Sequence, residues 1–149
     1  MNADAILNEF HWQMLWRLVF ATLLGALVGY EREQEGKPAG VRTHGMVCLG
    51  AALFTVVSVF GFKTGDPARI AAQIVTGIGF IGAGAILHQR GTVCGLTTAA
   101  SLWVTAAIGL TVGVGMLEMS LVTTILVFLL LRFGPRLGAK TTPGGEVQP

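Results

Sequence analysis

Charged side chains are scarce in this sequence. Ten Lys and Arg and eight Asp and Glu make up 12% of its 149 residues, about half the share of an ordinary soluble domain. A soluble core of this length needs a polar shell that so few charges cannot supply. At a net charge of +2 they are also too dilute for a nucleic-acid-binding surface. Cysteine is nearly absent: Cys48 and Cys94 lie in or beside apolar segments without CxxC spacing, which argues against a disulfide framework or zinc site and makes both small packing residues. Recognisable catalytic constellations are missing too. No GxSxG surrounds Ser58 or Ser101, no HExxH occurs, and His11, His44 and His88 stand apart from one another. Neither an enzyme nor a cofactor or metal site is expected, and each lone histidine reads as interfacial.

What the chain has in abundance is apolar residues, 52% of the total, and 21 glycines that fall mostly inside apolar stretches. Glycine there weakens soluble helices but suits close helix packing in lipid. A hydrocarbon core of roughly 30 Å needs about 20 apolar residues. Five segments come close: Trp12 to Tyr30, His44 to Phe62, Ala68 to Leu87, Leu96 to Val114 and Met116 to Phe133. One helix from Leu96 to Leu131 would be about 54 Å long, so a tight hairpin is expected between the last two spans. The fold class is an all-α integral membrane protein, a bundle of about five transmembrane helices in one domain over residues 1–138. Residues 139–149, with Pro143, Gly144, Gly145 and Pro149, read as a disordered tail.

Asp4 and Glu9 stand where a signal peptide carries lysines, and no small-residue cleavage site follows, so the first span is expected to stay in the mature protein. Basic residues set the orientation. With the N-terminus outside and the C-terminus cytoplasmic, Arg32, Lys37, Arg42, Arg90, Arg132, Arg136 and Lys140 lie inside. Lys63, Arg69 and Arg17 lie towards the outside.

Ionisable groups at membrane depth are costly and mark function by default. Asp66 followed by Pro67 has the form of an N-cap with proline in the first helical position. Asp66, Arg69, Gln73 and Thr76 or Gly77 then descend one face of the third span, as a cavity lining or a helix seam. Thr98, Ser101, Thr105 and Gly109 form a similar face on the fourth, where packing against the third span and a solute path both fit. Arg17 has two outlets, snorkelling outwards or pairing with Asp66. The loop from Tyr30 to His44 fits equally an ordinary anchor at the headgroups and a sharper role, either a docking surface or a clamp of Glu31 and Arg42 between spans. Gly77-Ile78-Gly79-Phe80-Ile81-Gly82 matches GxGxxG, but no strand precedes it, which rejects dinucleotide binding. With Gly84 it makes a smooth helix surface, as do the Gly25/Gly29 and Gly109/Gly113 pairs, for tight packing that extends to homodimers or higher homo-oligomers.

Gly29-Tyr30-Glu31-Arg32, Gly40-Val41-Arg42-Thr43-His44, Gly50-Ala51-Ala52-Leu53 and Asp66-Pro67-Ala68-Arg69-Ile70-Ala71-Ala72-Gln73 together resemble the MgtC/SapB family of bacterial inner-membrane proteins. Gly77 to Gly84, Gly95-Leu96-Thr97-Thr98-Ala99-Ala100-Ser101-Leu102-Trp103 and Ala106 to Gly109 continue the likeness in order. It covers the membrane domain, about Gly25 to Gly115; the soluble C-terminal domain of the family's virulence proteins has no counterpart after the fifth span. The resemblance implies a multi-pass protein of the inner membrane, linked to growth at low magnesium and to survival inside macrophages. It also implies a regulator associated with inhibition of the F-type ATP synthase through its membrane sector. Glu31, Arg32, Arg42, Thr43, Asp66, Gln73 and Thr98 are the positions it singles out. The competing reading is a small ion or solute transporter or channel, working as an oligomer, with Asp66, Arg69, Gln73, Thr98 and Ser101 along the path.

Overall fold

In the computed structural model, residues 3–62, 66, 68–89 and 92–138 are described. Five helices follow one another: α1 (Ala3–Gln34), α2 (Val41–Val56), α3 (Ala68–Gly84), α4 (Leu96–Val114) and α5 (Leu117–Gly138). A π-helical turn, Val57–Gly61, prolongs α2. Four stretches are long and apolar enough to cross a membrane: His11–Gln34, Val41–Gly61, Leu96–Val114 and Leu117–Gly134. The fifth, α3, has 17 residues, about 26 Å of helix, a little under one hydrocarbon thickness. The chain is an all-α membrane bundle of about five helices. Residues 139–149, Pro67, Lys63 and Arg90 lie outside the described residues, so the structure does not bear on the tail, the proline or part of the charge count.

The ends of the first and third spans differ from the hydropathy reading, and the break after the fourth agrees with it. Helix α1 runs on from Tyr30 to Gln34 because Glu31 and Arg32 are buried against the bundle and their turn stays helical. Helix α3 stops at Gly84 rather than Leu87. Leu87–Gln89 and Thr92–Cys94 instead form β1 and β2, an antiparallel ribbon with Leu87 opposite Cys94. Alternating short segments of this kind are too brief to show a period in sequence. Between α4 and α5 the helix ends at Gly115, whose φ of +103° only glycine adopts without strain. There the Gly115 and Met116 amides turn back to the Thr111 and Val112 carbonyls, a Schellman-type close.

Helix α4 sits at the centre and touches all four other helices. Small residues make this possible. A methyl group on Gly109 would strike the backbone of Cys48, and one on Gly113 would lie 2.6 Å from the Thr55 side chain, so α2 and α4 meet backbone to backbone. Gly25 and Gly29 do the same for α1, against Cys48 and His44 and against Gly40 and Val41. Without a hydrophobic drive between helices in lipid, such close van der Waals contact is what holds them. Around it, Ala21, Leu24, Val28, Cys48, Ala52, Ile108, Val112, Val127 and Leu131 form one core from α1, α2, α4 and α5. The outside is apolar: Phe80 is 85% exposed and Leu130 70%, which in lipid is the ordinary state of a surface.

Candidate functional site

A set of buried polar residues, Glu31, Arg32, His44, Thr98, Ser101 and Thr105, follows the seam between α1, α2 and α4. On α4, Thr98, Ser101 and Thr105 recur every three or four residues and are all buried. Two of the hydroxyls are served locally: Ser101 donates to the Thr98 carbonyl at 2.8 Å and Thr105 to the Ser101 carbonyl at 2.7 Å. This α4 face packs on α2, whose buried positions His44, Gly45, Cys48, Ala51, Ala52 and Thr55 form a matching small-residue stripe. His44, fully buried, spans the joint. Its Nδ1 lies 3.1 Å from the Gly40 carbonyl and its Nε2 lies 3.0 Å from the Ser101 hydroxyl. A carbonyl only accepts, so Nδ1 carries the proton, and in a neutral ring Nε2 accepts from Ser101. The single Ser101 proton then serves either His44 or the Thr98 carbonyl, leaving the network two alternative arrangements.

At the end of α1, Glu31 and Arg32 are 2% and 3% exposed and pair with each other, with Arg32 Nη2 2.7 Å from Glu31 Oε2. The clamp expected between Glu31 and Arg42 does not form; Glu31 is engaged by its own neighbour, and Arg42 points outwards in the first turn of α2. The other carboxylate oxygen of Glu31, Oε1, is buried with no hydrogen-bond partner among the described residues. It is Glu33 that ties the helices together here, accepting from the Val41 amide at 3.1 Å; an anion at a helix N-terminus is favoured by the backbone dipole. Arg32 also lines a cavity of about 620 Å³ with Lys37, Thr98 and Leu131, so the Glu31–Arg32 pair and the α4 hydroxyls adjoin. An exposed pair, Glu35 just after α1 and Arg132 on α5 at 3.6 Å, is worth little alone.

The opposite end has a different anchor. Arg17 takes neither of the outlets open to it in the sequence. Its Nη1 donates to the Gly113 carbonyl at 2.9 Å, and its guanidinium stands 5.5 Å from the centre of the Phe60 ring. A cation on the last carbonyls of α4 satisfies an orphan acceptor and the negative end of the helix dipole. Arg17 thereby links α1, the π-turn and the α4–α5 corner.

Helix α3 stands apart. Asp66 accepts the Ala68 amide on Oδ1 at 2.9 Å, closing the helix start, and its carbonyl accepts the Arg69 amide at 3.1 Å. Asp66, Arg69, Gln73 and Thr76 are all exposed. The polar faces of α3 and α4 do not meet, because α3 packs on α4 through apolar Ile78 and through Gly82, whose nearest neighbour is Ala99. Gly77, Gly79 and Gly84 have open space where a side chain would go. Thr43 and Gln73 both border a cleft between α2 and α3. Of the sequence candidates, then, Glu31, Arg32, Thr98 and Ser101 share the seam, Arg17 holds the far corner, and Asp66, Arg69, Gln73, Arg42 and Thr43 lie outside it. His44 was missed; its signal was the four-residue spacing to Cys48 and Ala52 on a face otherwise made of small residues.

These features define a multi-pass helical membrane protein built on a buried polar seam. The MgtC family matches residues 18–140, and the chain belongs to that family. YhiD of Escherichia coli (strain K12), described in its name as a candidate magnesium transporter, is 46% identical over 127 residues, 80% of this chain and 59% of YhiD. Protein MgtC of Salmonella typhimurium is 47% identical over 110 residues, 74% of this chain and 47% of MgtC. A protein of Haemophilus influenzae is 35% identical over 141 residues, 88% of this chain and 59% of that protein. The chain thus spans roughly half to three fifths of the length of these curated relatives. No solved structure matches it.

Proposed function

We propose that this chain is a non-enzymatic regulator that engages another complex of the bacterial inner membrane under low-magnesium or acid stress, N-terminus outside and C-terminus cytoplasmic. The partner that the family resemblance implies is the membrane sector of the F-type ATP synthase. The observation that carries the reading is the division of polar groups. The Ser101 and Thr105 hydroxyls are spent on their own helix and on His44, while α3 leaves Asp66, Arg69 and Thr76 exposed, with open space at Gly79 and Gly84. A solute path inside one chain needs polar groups facing an internal space; a docking protein needs them facing out. Crosslinking from the outer face of α3, at Thr76 or Gly79, followed by purification at low magnesium and acid pH, should recover a membrane-protein partner. Recovery of nothing but this chain sinks the proposal.

The second reading is transport of an ion or solute by an oligomer. The name of YhiD favours it, as does the outward polar face of α3, which would line a path only where copies meet. Flux of magnesium into liposomes that disappears in Asp66→Ala and Gln73→Ala would establish it in place of the first.

A further inference from the structure

A cleft of about 780 Å³ lies open between α2 and α3. Both helices rest on α4, whose Ala106 is 3% exposed and closes the bottom together with Ala51. The lining runs from Thr43 to Phe54 on α2 and from Ile70 to Ile81 on α3, twelve residues on each, whose ends stand about 16 Å apart along the helix. That is the depth of one leaflet, half of a hydrocarbon core of roughly 30 Å. The surface is apolar, with Thr43 and Gln73 its polar side chains. Midway, a side chain on Gly50 or on Gly77 would meet nothing within 4 Å, in contrast to Gly109 and Gly113, whose space is filled by α2.

The shape suits the occupant. An apolar slot about one leaflet deep and open along its length takes acyl chains lying between the two helices. The charge at the mouth points the same way. At the Thr43 end α2 opens on the rim, where Glu31 is held by Arg32 and Glu33 by the Val41 amide. Arg42, exposed one turn before Met46 of the lining, makes no ion pair among the described residues. An exposed guanidinium beside an acyl-deep cleft is the arrangement that takes an anionic headgroup.

We propose that this cleft is a phospholipid site. The acyl chains of one anionic phospholipid lie between α2 and α3, and its phosphate sits on the Arg42 guanidinium and the Thr43 hydroxyl. The site is independent of the regulatory reading and stands or falls separately from it.

Native mass spectrometry after purification in mild detergent tests the proposal. Wild-type protein retains a bound phospholipid, and after exchange in nanodiscs of mixed phosphatidylglycerol and phosphatidylcholine it retains the former in preference. The double variant Gly50→Leu, Gly77→Leu fills the cleft without touching the bundle's own contacts, and unfolds at the same denaturant level as wild type while losing the lipid. Gly79→Leu, on α3 outside the cleft, keeps it. Arg42→Gln lowers the preference for phosphatidylglycerol about fivefold, the loss expected for one basic residue at a lipid surface. Retention of lipid by the double variant overturns the site. So does a double variant that turns a dimer into a monomer with its lipid unchanged, which makes a second copy the occupant. Equal retention of the two headgroups overturns the role of Arg42.

Discussion

Nε2 of His44 on α2 and the Ser101 hydroxyl on α4 meet at 3.0 Å, 57 residues apart in sequence. With Nδ1 on the Gly40 carbonyl, the ring joins the start of α2 to the middle of the bundle. His44→Leu fills most of the same volume but abandons both side-chain bonds, leaving the Gly40 carbonyl with the residue-44 amide alone. It should lower unfolding free energy in mixed micelles by about 1–3 kcal/mol. Ser101→Ala, which removes one shared partner, should cost about 0.6 kcal/mol, the average for such bonds in membrane proteins. A His44→Leu variant as stable as wild type removes the ring from the architecture.

Glu31 and Arg32 are adjacent in sequence and buried together, so removing one strands the other. Glu31→Leu should destabilise by about 3–5 kcal/mol, while the double variant Glu31→Leu, Arg32→Met should be far milder, since no charge is left unpaired. A double-mutant cycle with no coupling between the two positions would contradict the pairing.

Glycine substitutions should divide sharply by position. Gly109→Ala drives a methyl into the Cys48 backbone and should cost about 3 kcal/mol or more, the upper end of overpacking. Gly79→Ala enters open space and should be neutral or stabilising by about 0.5–1 kcal/mol through helix propensity. Unfolding midpoints of the two variants compare these directly.

Arg17→Ala should weaken the α4–α5 corner by about 1–3 kcal/mol, the cost of an unserved charge-assisted bond. Phe60→Leu should cost about 0.5–1 kcal/mol through the lost cation–π contact. Disulfide trapping between cysteines placed on α1 and at the α4–α5 corner should slow in Arg17→Ala; an unchanged rate would remove Arg17 as a tether.

Much of the bundle is visible in hydropathy alone, because lipid demands long apolar stretches and tolerates little else. The fourth span, Leu96 to Val114, coincides with α4, and the hairpin after it follows from bilayer thickness. What the sequence conceals is partnership. Arg17 ends on a main-chain carbonyl, an acceptor present at every residue and so unmarked in sequence. The sequence offers Arg42 as the partner of Glu31, yet the helix continues to Gln34 and Glu31 is buried with its own neighbour Arg32. The GxxxG spacing does not separate glycines packed inside the chain, such as Gly109, from those left open, such as Gly77; only the path of the neighbouring helix does.

The central position of α4 has a consequence for the order in which the protein is made. Helices α1 and α2 bind each other through Gly25 and Gly29 and can associate as soon as both have left the ribosome. Helix α3 has most of its neighbours on α4, so it enters the bilayer with its docking surface still unsynthesised. With α2 and its π-turn as its earlier neighbours, it gains its main support only after about thirty further residues, from Gly84 to the end of α4 at Val114. A pause in synthesis over that interval is the moment when an insertase or quality-control protease would meet the third helix alone.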